Sequence, residues 1–518
     1  MPKLPNFKSY LRAARLDAVS MLSASGAGHG QRKEKLGDEL KAPDEQNSPT
    51  NRASNMARTP EPAIFVIFGI TGDLAHKKLL PALYHLMKDD LLSEHTAIVG
   101  VSRREMSAAD LLKKVELCVL EADSVCDPKA IAKLRKRLHM LKLNPLDGED
   151  YKRLHAALDG IEDKEGLCMN RLYYLAIPPQ VYSPVIENLG LYGLNAGCQH
   201  HRAVSRLLVE KPFGYDLVSA TELIADTSQQ FSEEQVFRID HYLAKETAQN
   251  ILVFRRHNPI FASLWNNKHV TAIDLLFSEQ IGVEGRAEFY DNVGALRDVV
   301  QNHLLQLLAL TTMELPHSSD PDSLHAAKQK LLATVSSVDP NQDHVIRGQY
   351  KGYEEEVNNI GSTTETYVSL CTDIDDERWR GVPITLSAGK ALDVKTTRIT
   401  LTFADASRQG STNRLTFRIT PNEGIDLVLT VKQPGFEERT ETTHMDFSYR
   451  SAFGDHVHPD AYERVLVDAV RGDHSLFATS KEVLESWRIV QPILSAWAQD
   501  SDDLLYYEPG STGPDATA

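Results

Sequence analysis

Six consecutive apolar residues, Ala63-Ile64-Phe65-Val66-Ile67-Phe68, run straight into Gly69-Ile70-Thr71-Gly72-Asp73-Leu74-Ala75. A strand with one wet face alternates apolar and polar residues; an unbroken run predicts a strand covered on both faces, as in a parallel sheet layered by helices. An amphipathic helix is expected next, from Leu74 to Met87. Strand, glycine turn and helix in that order suit a dinucleotide. Gly69 permits the tight turn, Gly72 lets the backbone approach a pyrophosphate, and Ala75 is small enough for the helix to pack closely on the strand. Thr71, Asp73 and Leu74 complete the loop and are candidate cofactor contacts. The spacing departs from G-x-G-x-x-G, so the turn taken alone leaves a plain strand-to-helix connection open.

The next strand, Ala97 to Val101, ends in Ser102-Arg103-Arg104. A site for NAD places an acidic side chain there for the ribose 2′-hydroxyl, whereas a guanidinium matches a 2′-phosphate. NADP is therefore expected over NAD, which remains a poorer alternative, with Arg103 as the contact. Leu172 to Ile177 and Arg206 to Val209 read as further strands. Ligands lie at the carboxyl ends of such strands. That places Ala176 and Tyr182 near the nicotinamide, and Lys211, in Glu210-Lys211-Pro212-Phe213-Gly214, where it can touch both cofactor and substrate. The Lys211–Pro212 bond can be cis, a constraint that fixes a side chain in a site, and a turn with a surface lysine is the competing reading.

At 518 residues the chain has room for two domains, and its net charge of −16 argues against a general nucleic-acid binder. No apolar run reaches membrane-spanning length. The five cysteines are odd in number and form no C-x-x-C. That fits a reducing compartment and no metal site, with buried or idle thiols expected over a Cys118–Cys126 pair, and a cytoplasmic location is expected. Residues 1–60 carry no core-forming period and no secretory apolar segment, and are expected to be disordered.

The stretch Arg238-Ile239-Asp240-His241-Tyr242-Leu243-Ala244-Lys245-Glu246 joins the end of a buried strand to a helix start, which favours an anion. His241 and Lys245, four apart, are expected on one face of the first helical turn, with the Tyr242 hydroxyl beside them. Downstream lies Arg297-Asp298-Val299-Val300-Gln301-Asn302-His303-Leu304. His303 stands in an apolar helix, where an ordinary core histidine is the competing reading.

Taken in order, the glycine turn, Lys78-Leu79-Leu80-Pro81, the Glu210–Gly214 turn, the nonapeptide and the His303 segment closely resemble the glucose-6-phosphate dehydrogenase family, over roughly Ala63 to Trp497. Ala244 replaces that family's usual glycine. The resemblance implies oxidation of glucose 6-phosphate at C1 to 6-phosphoglucono-δ-lactone with NADP as acceptor, the first oxidative step of the pentose phosphate pathway. It implies His303 as general base and Asp240 as the carboxylate that orients it. His241, Tyr242 and Lys245 become the phosphate grip, and Lys211, Glu279, Asp298 and Lys390 substrate contacts, with Lys395 where the family often has arginine. Some members hold a second, structural NADP in a site rich in Lys and Arg. The matching stretches, Thr396 to Thr400 and Asp426 to Val428, lack most of those charges, so no second NADP is expected.

From Asn250 the pattern changes to strands with period-two alternation: Val270–Phe277, Thr364–Leu370, Ile384–Ser387, Ile399–Phe403, Leu415–Ile419 and Ile425–Val431. Helices are expected over Ala295–Met313, Ala461–Arg471 and Lys481–Trp497. The expected architecture is α/β plus α+β. A Rossmann-like domain over 61–240 precedes a domain over 241–509 with a large, mostly antiparallel sheet, and a loose tail follows from 510. The second face of that sheet needs cover, for which subunit pairing is one solution, and the family resemblance implies a homodimer or homotetramer. Two other readings stay open: an oxidoreductase for unphosphorylated sugars, and a dinucleotide sensor without activity.

Overall fold

The computed structural model describes residues 60–515 except 124, 199–202, 339–344, 406–411, 455–458 and 501. The disorder expected of residues 1–60 falls, Pro60 apart, outside them. Within the described residues the chain builds two sheets. The first opens with β1 (Ala63–Phe68), β2 (Ala97–Ser102), β3 (Leu138–Lys142), β4 (Asn170–Leu175), β5 (Ser205–Glu210) and β6 (Val236–Ile239). The second uses β7 (Val270–Ser278), β8 (Val345–Tyr350), β9 (Tyr367–Thr372), β10 (Ile384–Gly389), β11 (Thr396–Phe403), β12 (Arg414–Thr420), β13 (Gly424–Lys432) and β14 (Thr440–Ser448). Two late strands, β15 (Phe477–Ala478) and β16 (Leu504–Tyr507), are divided between the sheets.

The first sheet has the order β15-β6-β5-β4-β1-β2-β3. All its pairs are parallel except β15 with β6. Every residue of β1 and β2 is buried, because helices cover both faces. The strand order reverses beside β1, so the carboxyl ends of β1 and β4 open a crevice there. The second sheet has the order β14-β13-β12-β11-β7-β10-β9-β8-β16, antiparallel except at β7–β10 and β8–β16. In β11 buried and half-exposed residues alternate along the strand, as a sheet with unlike faces requires.

Four expectations need correction. The helix after the glycine turn begins as a π-helix, Ala75–Leu79, before the α-helix Leu80–Lys88. The helix bearing His303 likewise starts as a π-helix, Leu296–Leu304, and becomes α only at Leu305–Thr312. The tail is not loose through Asp515: Gly510 N donates to Ala391 O, and Asp393 N to Ser511 O, which fixes the segment to the second sheet. Finally, the thiols are not all idle. Cys168 and Cys198 are bonded to each other, while Cys118, Cys126 and Cys371 are free. The two cysteines lie just outside the amino ends of β4 and β5, and the pairing of those strands brings them together.

The first sheet is also less contiguous in sequence than a boundary at 240 implies. The helix Ala461–Arg471 packs on Leu80–Lys88, and β15 completes the sheet's edge. The Lys211–Pro212 bond is cis.

Candidate active site

The glycine turn has the shape a pyrophosphate needs. Gly69 has φ +82°, and a Cβ there would lie 2.2 Å from the Ala176 carbonyl oxygen, so neither the conformation nor the space admits a side chain. Gly72 N donates to Gly69 O at 2.9 Å, closing the turn. Thr71, Gly72 and Leu74 are half-exposed and Asp73 is exposed, salt-bridged to Lys77. Ala176 N donates to Phe68 O, so Ala176 borders the same crevice. Arg103 stands exposed past the end of β2. Tyr182 is buried, and its hydroxyl donates to the Glu210 carbonyl oxygen at 3.2 Å, bracing the turn that carries Lys211. A narrow glycine cradle with a free guanidinium at the neighbouring strand end fits a phosphorylated dinucleotide.

At the next strand ends, three segments distant in sequence converge. Asp240 follows β6, Lys211 follows β5, and His303 comes from the π-helix. His303 Nδ1 lies 2.5 Å from Asp240 Oδ1, and Nε2 lies 2.8 Å from Lys211 Nζ. An ionised carboxylate only accepts and an ammonium only donates. Nδ1 therefore carries the proton and Nε2 presents its lone pair. Burial pushes the imidazole below its usual range; Asp240 opposes this and Lys211 adds to it. His303 is thus neutral at physiological pH, with the basic nitrogen identified. Burial pushes Asp240 up, but His303, His241 and Lys211 outweigh it, so the carboxyl stays below the usual range and ionised. Tyr242 N also donates to Asp240 Oδ1, whereas Oδ2 has no partner among the described residues.

Asp240, His241 and His303 offer donor atoms within 4.8 Å of one another. The adjoining Lys211 ammonium repels a cation at that point, and Nδ1 and Oδ1 already share a proton. The arrangement suits proton transfer rather than metal binding.

Two polar corners flank His303. Lys211 Nζ donates to the Asp298 carbonyl oxygen at 2.7 Å and to its carboxylate at 3.1 Å. Lys390 pairs with Glu279 and lies 5.2 Å from the centre of the Tyr290 ring. These four charged groups, two cations and two carboxylates, form a corner suited to sugar hydroxyls.

The other corner is basic. Its local geometry differs from the expected helical turn: residues 241–245 make non-helical turns, and Lys245 is the extended N-cap of the helix Glu246–His257. Lys245 Nζ sits over the Tyr242 ring at 4.1 Å, and the His241 ring is 4.9 Å from that of His303. Burial pushes Lys245 down, with Lys395 and Lys78 adding to the effect and Glu423 and Asp460 opposing it. Burial also pushes His241 well down, followed by His303 and Lys211. Burial is the main cause for both groups, and the neighbouring cations add to it, so an anion placed here would relieve the corner. Tyr242 is buried, and its ring lies 4.4 Å from that of His303, so it packs against the imidazole as much as it faces the corner.

Sequence reasoning missed three contributors. Lys78 lies within the electrostatic reach of Lys245 and is salt-bridged to Asp460 at 3.7 Å. Tyr462, from the helix Ala461–Arg471, stacks on His241 at 6.2 Å between ring centres. Glu210 accepts from Tyr174, and burial pushes its carboxyl up to about 7 against that bond and Lys211. Lys78 was visible within the Lys-Leu-Leu-Pro stretch; nothing in the amphipathic pattern of 461–471 marked Tyr462.

Comparison with known proteins agrees with this geometry. Residues 66–250 match the model for the NAD binding domain of glucose-6-phosphate dehydrogenase, and residues 252–518 that for its C-terminal domain. A glucose-6-phosphate 1-dehydrogenase of Chlamydia pneumoniae is 40% identical over 485 residues, covering 89% of this chain and 94% of the relative. Glucose-6-phosphate 1-dehydrogenase 2 of Mycobacterium bovis is 39% identical over 487 residues, covering 90% and 94%. Among solved structures, a glucose-6-phosphate dehydrogenase in complex with its substrate glucose 6-phosphate superposes with a TM-score of 0.82 at 34% identity, covering 89% of this chain and 96% of that one. The glucose-6-phosphate 1-dehydrogenase of Mycobacterium avium gives 0.76 at 36% identity, covering 88% and 96%. With both halves matched and the relatives covered almost end to end, the chain belongs to the glucose-6-phosphate dehydrogenase family.

Proposed function

We propose that this chain oxidises D-glucose 6-phosphate at C1 to 6-phospho-D-glucono-1,5-lactone, with His303 as base, giving NADPH and opening the pentose phosphate pathway. The observation that carries the role of His303 is its pair of unlike neighbours: an acceptor at Nδ1 and a donor at Nε2 make Nε2 the basic nitrogen, covered by Lys211.

His241, Lys245 and Lys395 hold the phosphate, with Lys78 adding to the field. The sugar hydroxyls meet Lys211, Asp298, Glu279 and Lys390. Fixing both ends of the sugar leaves C1 little freedom, which is where most of the rate advantage of a bound substrate originates. His303 Nε2 takes the C1 hydroxyl proton, and Asp240 stabilises the imidazolium that forms. Lys211 shifts from Nε2 to the substrate oxygen as the proton transfers. NADP, held by residues 69–74 with its 2′-phosphate at Arg103, supplies the hydride acceptor.

We also read the enzyme as a homodimer or homotetramer of the cytoplasm, with the Cys168–Cys198 bond an exception beside three free thiols. The exposed strand β14 at the edge of the second sheet supports a partner copy. No helix among the described residues is long and apolar enough to cross a membrane. One absorbance assay for the reduced cofactor, run with glucose and glucose 6-phosphate and with NADP and NAD, tests the reaction. Equal rates with the two sugars would restore the unphosphorylated-sugar reading, and no rate with any pair would restore the sensor. Light scattering at several concentrations tests the assembly; a monomer throughout would remove that part.

A further inference from the structure

The π-helix that carries His303 is wider than an α-helix, and such turns need local support because their backbone hydrogen bonds are irregular. Asn302 supplies it. Its side-chain carbonyl accepts from His303 N at 2.6 Å, and its amide donates to the Arg297 carbonyl oxygen, five residues back, at 3.0 Å. The residue is buried, and both ends of its amide are held within its own helix. Asn302 therefore ties the backbone of His303 to the far side of the widened turn. The same turn lets the Asp298 carbonyl oxygen accept from Lys211 Nζ, the cation that also contacts His303 Nε2. Asn302 is in this way the strut of a turn whose two exits are the base and its cationic neighbour.

We propose that Asn302 is a positioning residue for the general base: by bridging Arg297 O and His303 N it sets the imidazole in line between Asp240 and Lys211. The inference rests on the reading of His303 as base. Two substitutions test it. Asn302→Ala removes both bonds. Asn302→Asp keeps the acceptor for His303 N but loses the donor to Arg297 and adds a negative charge. The titratable groups acting on the His303 ring are Asp240, Lys211, His241 and Tyr242, with the Asp298 carboxylate, held by Lys211, also raising its pKa.

In Asn302→Ala, turnover should fall about 10- to 100-fold, the scale of a misplacement near 1 Å. KM for glucose 6-phosphate should stay within about threefold, because the phosphate corner lies on another segment. The acid limb of the kcat/KM profile should move to lower pH, since an imidazole misaligned with Asp240 loses the influence that raises its pKa. In Asn302→Asp the limb should move the opposite way. NADP binding and the thermal midpoint report whether each variant folds. Should the alanine variant fail to fold, the isosteric aspartate decides, and an unmoved acid limb with normal turnover in it overturns the inference. His303→Asn assayed alongside separates the two claims. Turnover kept there overturns the base and this inference together; turnover lost there but unchanged in Asn302→Ala overturns this inference alone.

Discussion

His303, Asp240 and Lys211 have a counterpart in His325, Glu482 and Lys328. Each group joins one imidazole, one carboxylate and one amine in the protein interior, and the imidazole Nδ1 faces the carboxylate in both, at 2.5 Å and 2.8 Å. They differ at the other nitrogen. His325 Nε2 lies 3.0 Å from the His474 carbonyl oxygen, an acceptor, where His303 Nε2 meets the Lys211 amine. Glu482 uses both oxygens, one toward His325 and one toward Lys328 at 2.8 Å, and Lys328 also reaches Gln306. Both Lys328 and Glu482 are fully buried. In the other group, Nε2 faces a donor, Asp240 Oδ2 lacks a partner among the described residues, and the Lys211 side chain is 21% exposed. The same three residue types make a fully buried clasp in one place and, in the other, leave one carboxylate oxygen without a partner among the described residues and the amine partly open to solvent.

If that difference governs, the largest effect belongs to His303→Asn. Turnover should drop about 10²- to 10⁴-fold, the range of a lost general base, with the thermal midpoint little changed. Near-normal turnover in a kinetic assay would erase the distinction between the two groups. Glu482→Gln should do the reverse. It leaves Lys328 charged and unpaired, at a cost of about 3–5 kcal/mol in a denaturant titration, while turnover per folded enzyme stays near normal.

The pH dependence sharpens the same contrast. Burial pushes Glu482 up, but Lys328 and His325 outweigh it and hold the carboxyl below its usual range. A carboxyl depressed in the folded state adds stability above its unfolded pKa of 4.5, and that stability is lost as pH falls through and below this value. The variant should lack this slope in unfolding curves taken from about pH 6 down to about pH 3; an unchanged slope counts against the clasp.

Lys245→Ala should come next. Loss of one charge-assisted phosphate contact raises KM for glucose 6-phosphate about 10- to 100-fold, with the limiting rate less affected. Unchanged affinity would remove Lys245 from the basic corner. The smallest expected change is in cofactor choice: Arg103→Ala should raise KM for NADP about tenfold and leave that for NAD nearly unchanged. Equal changes with the two cofactors would refute the 2′-phosphate contact.

Much of this was legible in the chain because burial on two faces leaves a plain record. β1, β2, β4 and β5 appear as apolar runs, and β7 and β10–β13 as apolar or alternating ones. β14 was missed because most of its residues are exposed and polar, so no pattern separates it from a loop. The motif residues Asp240, Lys211 and His303 do converge. Their joint role was readable only through family resemblance, since His325 and Lys328 look no different in sequence. The turn at 241–245 was misread because a spacing of four implies one face only if the segment is helical. Both π-turns were invisible for a related reason: apolar periodicity reports which face is buried, not how many residues close a ring. The Cys168–Cys198 bond depends on strand pairing between residues 30 apart, which no local spacing encodes.

The seam between β6 and β15 bears on how the molecule is made. Asp240 follows β6 directly, and among the described residues the outer edge of β6 pairs with Phe477 and Ala478, while His474 and Phe477 lie on Phe237. A ribosome adding about 5–20 residues per second needs tens of seconds to reach them after β6 emerges. During that interval the nascent sheet has an unsealed border able to recruit a stranger's strand. Vectorial synthesis thus leaves the cofactor half incomplete until the last helices are translated, and places the greatest demand on chaperones in the middle of the message.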